Sequence, residues 1–390
     1  MDVGDPVVFD TVGLGRLIDG LRRRGYRVVG PTVADNAIVL AEIDSADDLP
    51  VGWGVDVAPG TYRLRTRADR AAFGHSAGPQ SWKQFLHPPR QRLWSTRRDA
   101  VDAADADDQA DEPDPRYAFL GVRGCDLAAI SILDRVMVGG AHPDGSYQGR
   151  RDGTFIVAVN CTEPGGLCFC ASTGTGPACS PSYDLALTER IDGDTVSYLV
   201  EVGSEIGAEV LADLPYRTAE PEECAAAAAE IAAAATKMGR QMPDTDLRQL
   251  LVDSRESEHW SEVASRCLTC GNCTMVCPTC FCTSNSDVTD LAGEHAERWS
   301  EWASCFEFDF TYVHGGEVRR SGASRYRHWL THKLSTWHDQ FGSSGCVGCG
   351  RCIAWCPTGI DITEEMGVLD RQRAASDTGG AAGSGERGDD

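Results

Sequence analysis

The sequence predicts an α+β protein. It has an N-terminal α/β domain over residues 1–243, a mostly helical, cysteine-rich domain over 244–369 and a disordered tail over 370–390. Three observations predict this. Short β-rich runs alternate with helical periodicity through the first two-thirds of the chain. An Ala-rich stretch runs from Pro221 to Met238 and is closed off by Pro243. Beyond it, helical patterns are interrupted by two closely similar cysteine loops.

The elements follow in order. Leu14, Leu17, Ile18 and Leu21 recur at helical spacing over residues 11–24, and Gly25 ends the pattern. β-Rich runs cover 26–29, 37–43 and 62–66. Residues 117–122 read as a buried strand that turns through Arg123-Gly124-Cys125-Asp126 into a helix over 127–137, with Asp126 the expected N-cap. Residues 155–160 form another β-rich run. Residues 185–189 and 196–200 flank Asp192-Gly193-Asp194 as a hairpin. In the C-terminal part, helices are expected around 287–304 and 324–341.

Seventeen cysteines and a net charge of −23 constrain function more than length does. A polyanion repels phosphate backbones, so nucleic-acid binding is not expected. Much of the charge lies in the Ala/Asp/Glu stretch 99–114 and the Gly/Ala/Ser/Asp-rich tail. Both read as solvated segments too poor in apolar residues to offset chain entropy. No run approaches the roughly 20 apolar residues of a membrane helix. The first residues show neither a basic nor an apolar signal region, so a reducing cytoplasmic setting is expected.

The chemistry is written in the cysteine spacing. Cys267, Cys270, Cys273 and Cys277 precede Pro278; Cys346, Cys349, Cys352 and Cys356 precede Pro357. Each copy is Cys-x-x-Cys-x-x-Cys-x-x-x-Cys-Pro, the spacing that holds [4Fe–4S] clusters in two-cluster ferredoxins. Three thiolates two residues apart wrap one cubane, and the fourth reaches the other cluster. The inferred wiring is therefore Cys267, Cys270, Cys273 and Cys356 on one cluster, with Cys346, Cys349, Cys352 and Cys277 on its partner. Proline ends each loop, and Gly271 and Gly350 let backbone approach the cluster. Zinc ribbons show paired Cys-x-x-Cys motifs, and disulfide frameworks belong to small secreted chains. Residues 244–369 are thus read as a helical ferredoxin-type 2[4Fe–4S] domain.

A second group, Cys125, Cys161, Cys168 and Cys170, falls in the α/β half, two of its members at expected strand ends, where cofactor sites form. These four have the chemistry for a third [4Fe–4S] cluster or a zinc ion, or for small buried hydrophobes, and the sequence leaves the three readings open. Cys280 and Cys282 are expected to pack near the first motif, Cys305 is not placed by the sequence, and Cys179 and Cys224 carry no pattern. Trp299, Trp302, Trp329, Trp337 and Trp355 read as core that also keeps water from a cluster. His328, His332 and His338 read as non-ligating. Arg325, Arg327 and Lys333 read as a solvated helix face or as partners of an anionic group. Gly13-x-Gly15 lacks a third glycine, and Ser172-Thr173-Gly174-Thr175-Gly176-Pro177 lacks a phosphate-loop lysine, so no nucleotide site is evident.

These motifs resemble a known family. Ser81-Trp82-Lys83, Pro88-Pro89, Arg123-Gly124-Cys125-Asp126-Leu127, Asn160-Cys161, Cys168-Phe169-Cys170 and Ser172 to Pro177 are similar to its N-terminal half. The stretch from Cys267 to Cys282, Arg325-Tyr326-Arg327-His328-Trp329, His332-Lys333-Leu334 and Cys346 to Cys352 are similar to its C-terminal half. The family is the 4Fe–4S dicluster β subunits of soluble, sulfhydrogenase-type [NiFe] hydrogenases, with the similar electron-transfer subunit of anaerobic sulfite reductase. The resemblance covers most of the chain outside the acidic stretch and the tail. It implies a relay between a flavin- and NAD(P)-binding reductase subunit and the small and large [NiFe] catalytic subunits, in a hetero-oligomer. Other readings are the electron-transfer role in sulfite reductase, a redox-silent metal-binding scaffold, and a free-standing enzyme using the Cys125 group.

Overall fold

The structure, a computed structural model, describes residues 6–98 and 115–382. The acidic stretch 99–114 and the last eight residues lie outside the described residues. The first half runs β1 (Val7–Asp10), α1 (Thr11–Arg23), β2 (Arg27–Ala34), β3 (Ala37–Glu42), β4 (Trp53–Ala58), β5 (Thr61–Thr66), α2 (Lys83–Leu86), β6 (Arg90–Arg97), β7 (Tyr117–Val122), α3 (Gly124–Met137), α4 (Gly145–Asp152) and β8 (Phe155–Val159). It continues through β9 (Leu185–Asp192), β10 (Thr195–Val202), α5 (Glu205–Ala212), β11 (Arg217–Thr218) and α6 (Pro221–Thr236).

Eight of these strands form one mixed sheet in the order β11-β1-β10-β9-β8-β7-β2-β3. The centre is parallel, β2 to β7, β7 to β8 and β8 to β9, and the flanks are antiparallel. Period-two alternation gives this sheet two buried faces. Phe155, Val157 and Val159 meet Leu14, Leu17, Ile18 and Leu21 of α1 on one side. Ile156 and Ala158 meet Leu127, Ile130 and Leu133 of α3 on the other. Asp10 caps α1, accepting from Val12 N at 2.9 Å and Gly13 N at 3.0 Å. The expected hairpin is β9–β10, Asp192 paired with Thr195 and Gly193 at φ +58°. Asp126 is not the N-cap of α3. That place falls to Arg123 with no side-chain cap, because Asp126 sits in the first turn and turns inward to an arginine described below.

The C-terminal half adds α7 (Leu247–Asp253), α8 (His259–Arg266), α9 (Asn272–Met275), β12 (Thr283–Thr289), β13 (His295–Trp302), α10 (Gly322–Thr331), α11 (Trp337–Phe341), α12 (Arg351–Ala354) and α13 (Ile362–Ala382). A π-helical turn, His332–Thr336, joins α10 to α11, matching the helix expected around 324–341. The helix expected around 287–304 is instead the β12–β13 hairpin. Asp290 accepts from Glu294 N at 2.8 Å, and Gly293 takes φ +69°, which together close a local turn. β13 then finds a partner some 200 residues upstream in β6. Trp302 lies under the Lys83 ammonium at 3.6 Å and Trp299 under Arg90 at 4.2 Å, so aromatic–cation contacts hold the strand in place.

The tail expected to be disordered from 370 continues instead as helix to 382. Met366 and Leu369 are fully buried, Ser257 bonds Gln372 at 2.9 Å, and Arg373 reaches Asp370 at 3.3 Å. Among the described residues, no helix is long and apolar enough to cross a membrane. Contacts run freely across residue 243. Leu167 and Phe169 enter the second core beside Trp260, Tyr326, Trp329 and Ile353, and Gly60 at the β4–β5 turn donates to Ile353 O at 3.0 Å.

Candidate metal centre

The two cysteine loops fold alike because their sequences repeat. In each, a glycine at positive φ, Gly271 at +74° and Gly350 at +75°, opens a one-turn helix, α9 or α12. Neither position has room for a side chain: a Cβ on Gly271 would lie 2.8 Å from Ser304 Oγ, and one on Gly350 would lie 2.5 Å from Leu167 O. The two turns are tied together, Asn272 donating its side-chain amide to Trp355 O.

Tertiary structure crosses the loops. Cys267, Cys270 and Cys273 line one cavity together with Cys356, the last cysteine of the other motif. Phe306, Tyr326, Trp329, Ile360 and Ile362 complete its wall and keep it largely apolar. Two of these sulfurs accept backbone N–H groups, Cys267 from Thr269 at 3.4 Å and Cys356 from Ile360 at 3.3 Å. Cys277, the last cysteine of the first motif, keeps the opposite company. Burial pushes the Cys352 thiol up, and Cys346, Cys349 and Cys277 beside it add to the effect. Cys346, pushed up by burial to about 12, also lies within reach of Cys349 and Cys277. Cys352 additionally lines the first cavity, so the two groups stand shoulder to shoulder.

These environments fit iron–sulfur clusters on the chemistry of the donors. Soft thiols crowd into desolvated spaces where burial and mutual repulsion oppose ionisation, so they form thiolates readily only around a cationic centre. Among the described residues, no three His, Cys, Asp or Glu side chains converge closely enough to chelate a single ion. The first group instead surrounds a cavity.

Charged groups lie beside the second set, among them Lys333, read from the sequence as either a solvated face or a partner of an anionic group. Lys333 is 3 % exposed, not a solvated face, and donates to Cys277 Sγ at 3.3 Å, Thr279 Oγ1 at 2.9 Å and Gly345 O at 3.0 Å. Lys83 donates to Cys280 O at 2.9 Å. Burial lowers the pKa of Lys83 to about 8, against the nearby thiols of Cys280, Cys277 and Cys282. Cys277 is held well below the usual thiol range, first by a hydrogen bond with Cys280 and then, against burial, by Lys333 and Thr279. Cys280 lies beside Cys277, and Cys305 lies near both Cys282 and Cys273, so Cys305 joins the two cysteines expected near the first motif.

Of the other candidates, Arg325 is buried and braces Phe306 O at 3.0 Å, and Arg327 bonds Arg255 O at a helix surface. His328 and His332 stack on each other at 5.9 Å. Trp329 lines the first cavity, Trp355 packs on Tyr62 at 5.2 Å, and Trp337 is buried in the core. Cys168 and Cys170 lie within electrostatic reach of Cys161, and Cys125, from the preceding strand end, within reach of Cys170; Cys125, Cys168 and Cys170 also lie within that reach of Cys349. The buried ion pair of Arg351 with Asp126, at 2.9 Å, joins the second loop to the Cys125 turn. No local sequence signal marks that pair, because its halves are over 200 residues apart.

A family of 4Fe-4S dicluster domains matches residues 266–360. The beta subunit of sulfhydrogenase 2 from Pyrococcus furiosus is 31% identical over 352 residues, covering 89% of this chain and 92% of that protein. No solved structure matches. With its repeated cysteine loops inside the matched segment and a relative aligned along nearly its whole length, the chain belongs to the sulfhydrogenase β-subunit family and is an iron–sulfur electron-transfer protein.

Proposed function

We propose that the chain carries single electrons between a flavin- and NAD(P)-binding reductase subunit and the small and large catalytic subunits of a [NiFe] hydrogenase. It does so through two [4Fe–4S] clusters, one on Cys267, Cys270, Cys273 and Cys356, the other on Cys346, Cys349, Cys352 and Cys277. The observation that carries this reading is the crossing of the motifs, Cys356 in the cavity of the first loop and Cys277 among the thiols of the second. Each cluster supplies a one-electron couple when bound. The chain's own residues do the rest. Phe306, Tyr326, Trp329 and Ile360 hold water away from the first site, which lowers the local dielectric. Backbone N–H groups and Lys333 donate to ligand sulfurs and so favour the reduced, more negative state. Sharing Cys352 between the walls of the two sites keeps the electron's path short, which tunnelling requires.

The test is Cys352→Ser in the anaerobically purified complex. Loss of one cluster with collapse of NAD(P)H-coupled hydrogen turnover supports the proposal, and turnover at the wild-type rate overturns it. Nickel in the co-purified complex identifies the hydrogenase. Sirohaem in its place assigns the chain to a sulfite reductase.

A further inference from the structure

We propose that Cys125, Cys161, Cys168 and Cys170 hold a third [4Fe–4S] cluster at the carboxyl ends of β7 and β8, against the second cysteine loop. The inference rests on the two-cluster reading above and extends its relay into the N-terminal half of the chain.

Topology brings the four together. β7 and β8 are neighbouring parallel strands, so their carboxyl ends open side by side, where open α/β sheets place cofactors. Cys125 stands in the first turn of α3, directly after β7, and Cys161 follows β8 by one intervening residue. The chain then loops out and returns. Cys161 N donates to Pro177 O at 3.1 Å, so the ends of the loop that carries Cys168 and Cys170 are pinned at the strand ends. Within this enclosure Cys168 lies within electrostatic reach of Cys161 and Cys170, and Cys125 within reach of Cys170. Gly176 lines the same space: a Cβ there would lie 3.0 Å from Cys170 Sγ and 3.6 Å from Cys125 N.

The same loop is moulded onto the second motif. Phe169 N donates to Gly348 O at 2.8 Å and Thr175 Oγ1 to Val347 O at 2.8 Å. Gly348 takes φ +64°, and a Cβ on it would lie 2.5 Å from Cys170 N. Cys349, a ligand of the second cluster in the reading above, is within electrostatic reach of Cys125, Cys168 and Cys170. Arg351 stands between, close to both Cys349 and Cys125 and paired with Asp126, each nearly inaccessible to water. A guanidinium in that position offsets part of the negative charge that two neighbouring thiolate-bound clusters bring. Plain core cysteines need neither this enclosure nor a buried cation. An all-thiolate set is suited to zinc or to iron–sulfur.

The second site then lies between the other two, touching the first through Cys352 and the third through Cys349. Transfer along this line moves one electron from a reduced cluster to an oxidised neighbour, with no bond made or broken. The electron enters from the reductase subunit or the hydrogenase subunits.

The experiment is iron, acid-labile sulfide and zinc analysis of the full chain, matured and purified without oxygen, in wild type, Cys161→Ser and the Cys168→Ser/Cys170→Ser double variant. Expected are about 12 iron and 12 sulfide per wild-type chain and about 8 of each in the variants, from four per cluster. About 8 iron in the wild type, unchanged in the variants, overturns the proposal, as does about 8 iron with one zinc. The wild-type count decides even where a variant fails to fold. Iron that falls in Cys352→Ser but not in Cys161→Ser leaves the two-cluster reading intact and removes the third site. Iron indifferent to both removes the parent reading too.

Discussion

Lys333 is the side chain whose removal has the most direct electronic consequence. Its ammonium is 3 % exposed and lies 3.3 Å from Cys277 Sγ. Lys333→Met removes the charge and keeps most of the length and apolar stem. A cluster held by that sulfur would place an added electron about 6 Å from the ammonium. At an effective dielectric of about 20, Coulomb's law then gives about 3 kcal/mol. At about 1.36 kcal/mol and 59 mV per decade for one electron, that is a downward shift of about 130 mV in the second cluster's midpoint. The assay is an EPR-monitored redox titration of the full chain, with Lys333→Arg as the charge-retaining control. If all cluster midpoints stay within about 20 mV of wild type in Lys333→Met, the lysine does not act on the cluster and the placement of Cys277 there is wrong.

Further expectations follow from the same geometry. Crossed wiring makes double variants diagnostic: Cys356→Ser with Cys273→Ser removes one cluster and about 4 iron per chain, whereas Cys356→Ser with Cys349→Ser removes two and about 8. Uncrossed wiring reverses the two iron analyses. Asp126→Ala leaves Arg351 buried without its carboxylate and costs about 3–5 kcal/mol in urea unfolding, while Asp126→Leu with Arg351→Met recovers most of the loss. A single-variant cost under about 1 kcal/mol counts against a buried pair. His75 is held neutral, its pKa lowered to about 3 by burial first and by Arg123 next. An unfolded histidine takes its proton near pH 6.5, so the unfolded state binds more protons between those values, and stability falls as pH drops below about 6.5. The loss reaches about 2 kcal/mol by pH 5. The stability gap between wild type and His75→Gln should shrink by that amount from pH 7 to pH 5, and a constant gap refutes the assignment.

Much of the local architecture was legible along the chain. The periodicity of Leu14, Leu17, Ile18 and Leu21, the Asp192-Gly193-Asp194 turn and the repeated cysteine spacing each depend on residues a few positions apart, and each formed as its pattern implies. The misreadings share a cause. Residues 283–302 carry no strong strand period of their own and became a hairpin because β6, far upstream, offered an edge to pair with. Residues 370–382 look too polar to fold alone, yet Met366 and Leu369 anchor the helix from which they continue. Asp126 reads as a cap in isolation and serves instead as the counter-charge to Arg351.

The candidate site divides the same way. Spacing alone determined that three thiols of each motif must face one point, since a tight turn allows little else. The spacing also pointed to the fourth thiol of each trio, and the structure brings Cys356 to the first loop; only the tertiary structure showed that Lys333 and Lys83 are buried beside the thiols and that Cys125, Cys168 and Cys170 come within electrostatic reach of Cys349. The physical reason is range. Backbone sterics and periodicity act over a handful of residues, whereas burial, electrostatic neighbourhood and convergence arise when the sheet and the cysteine loops close on one another.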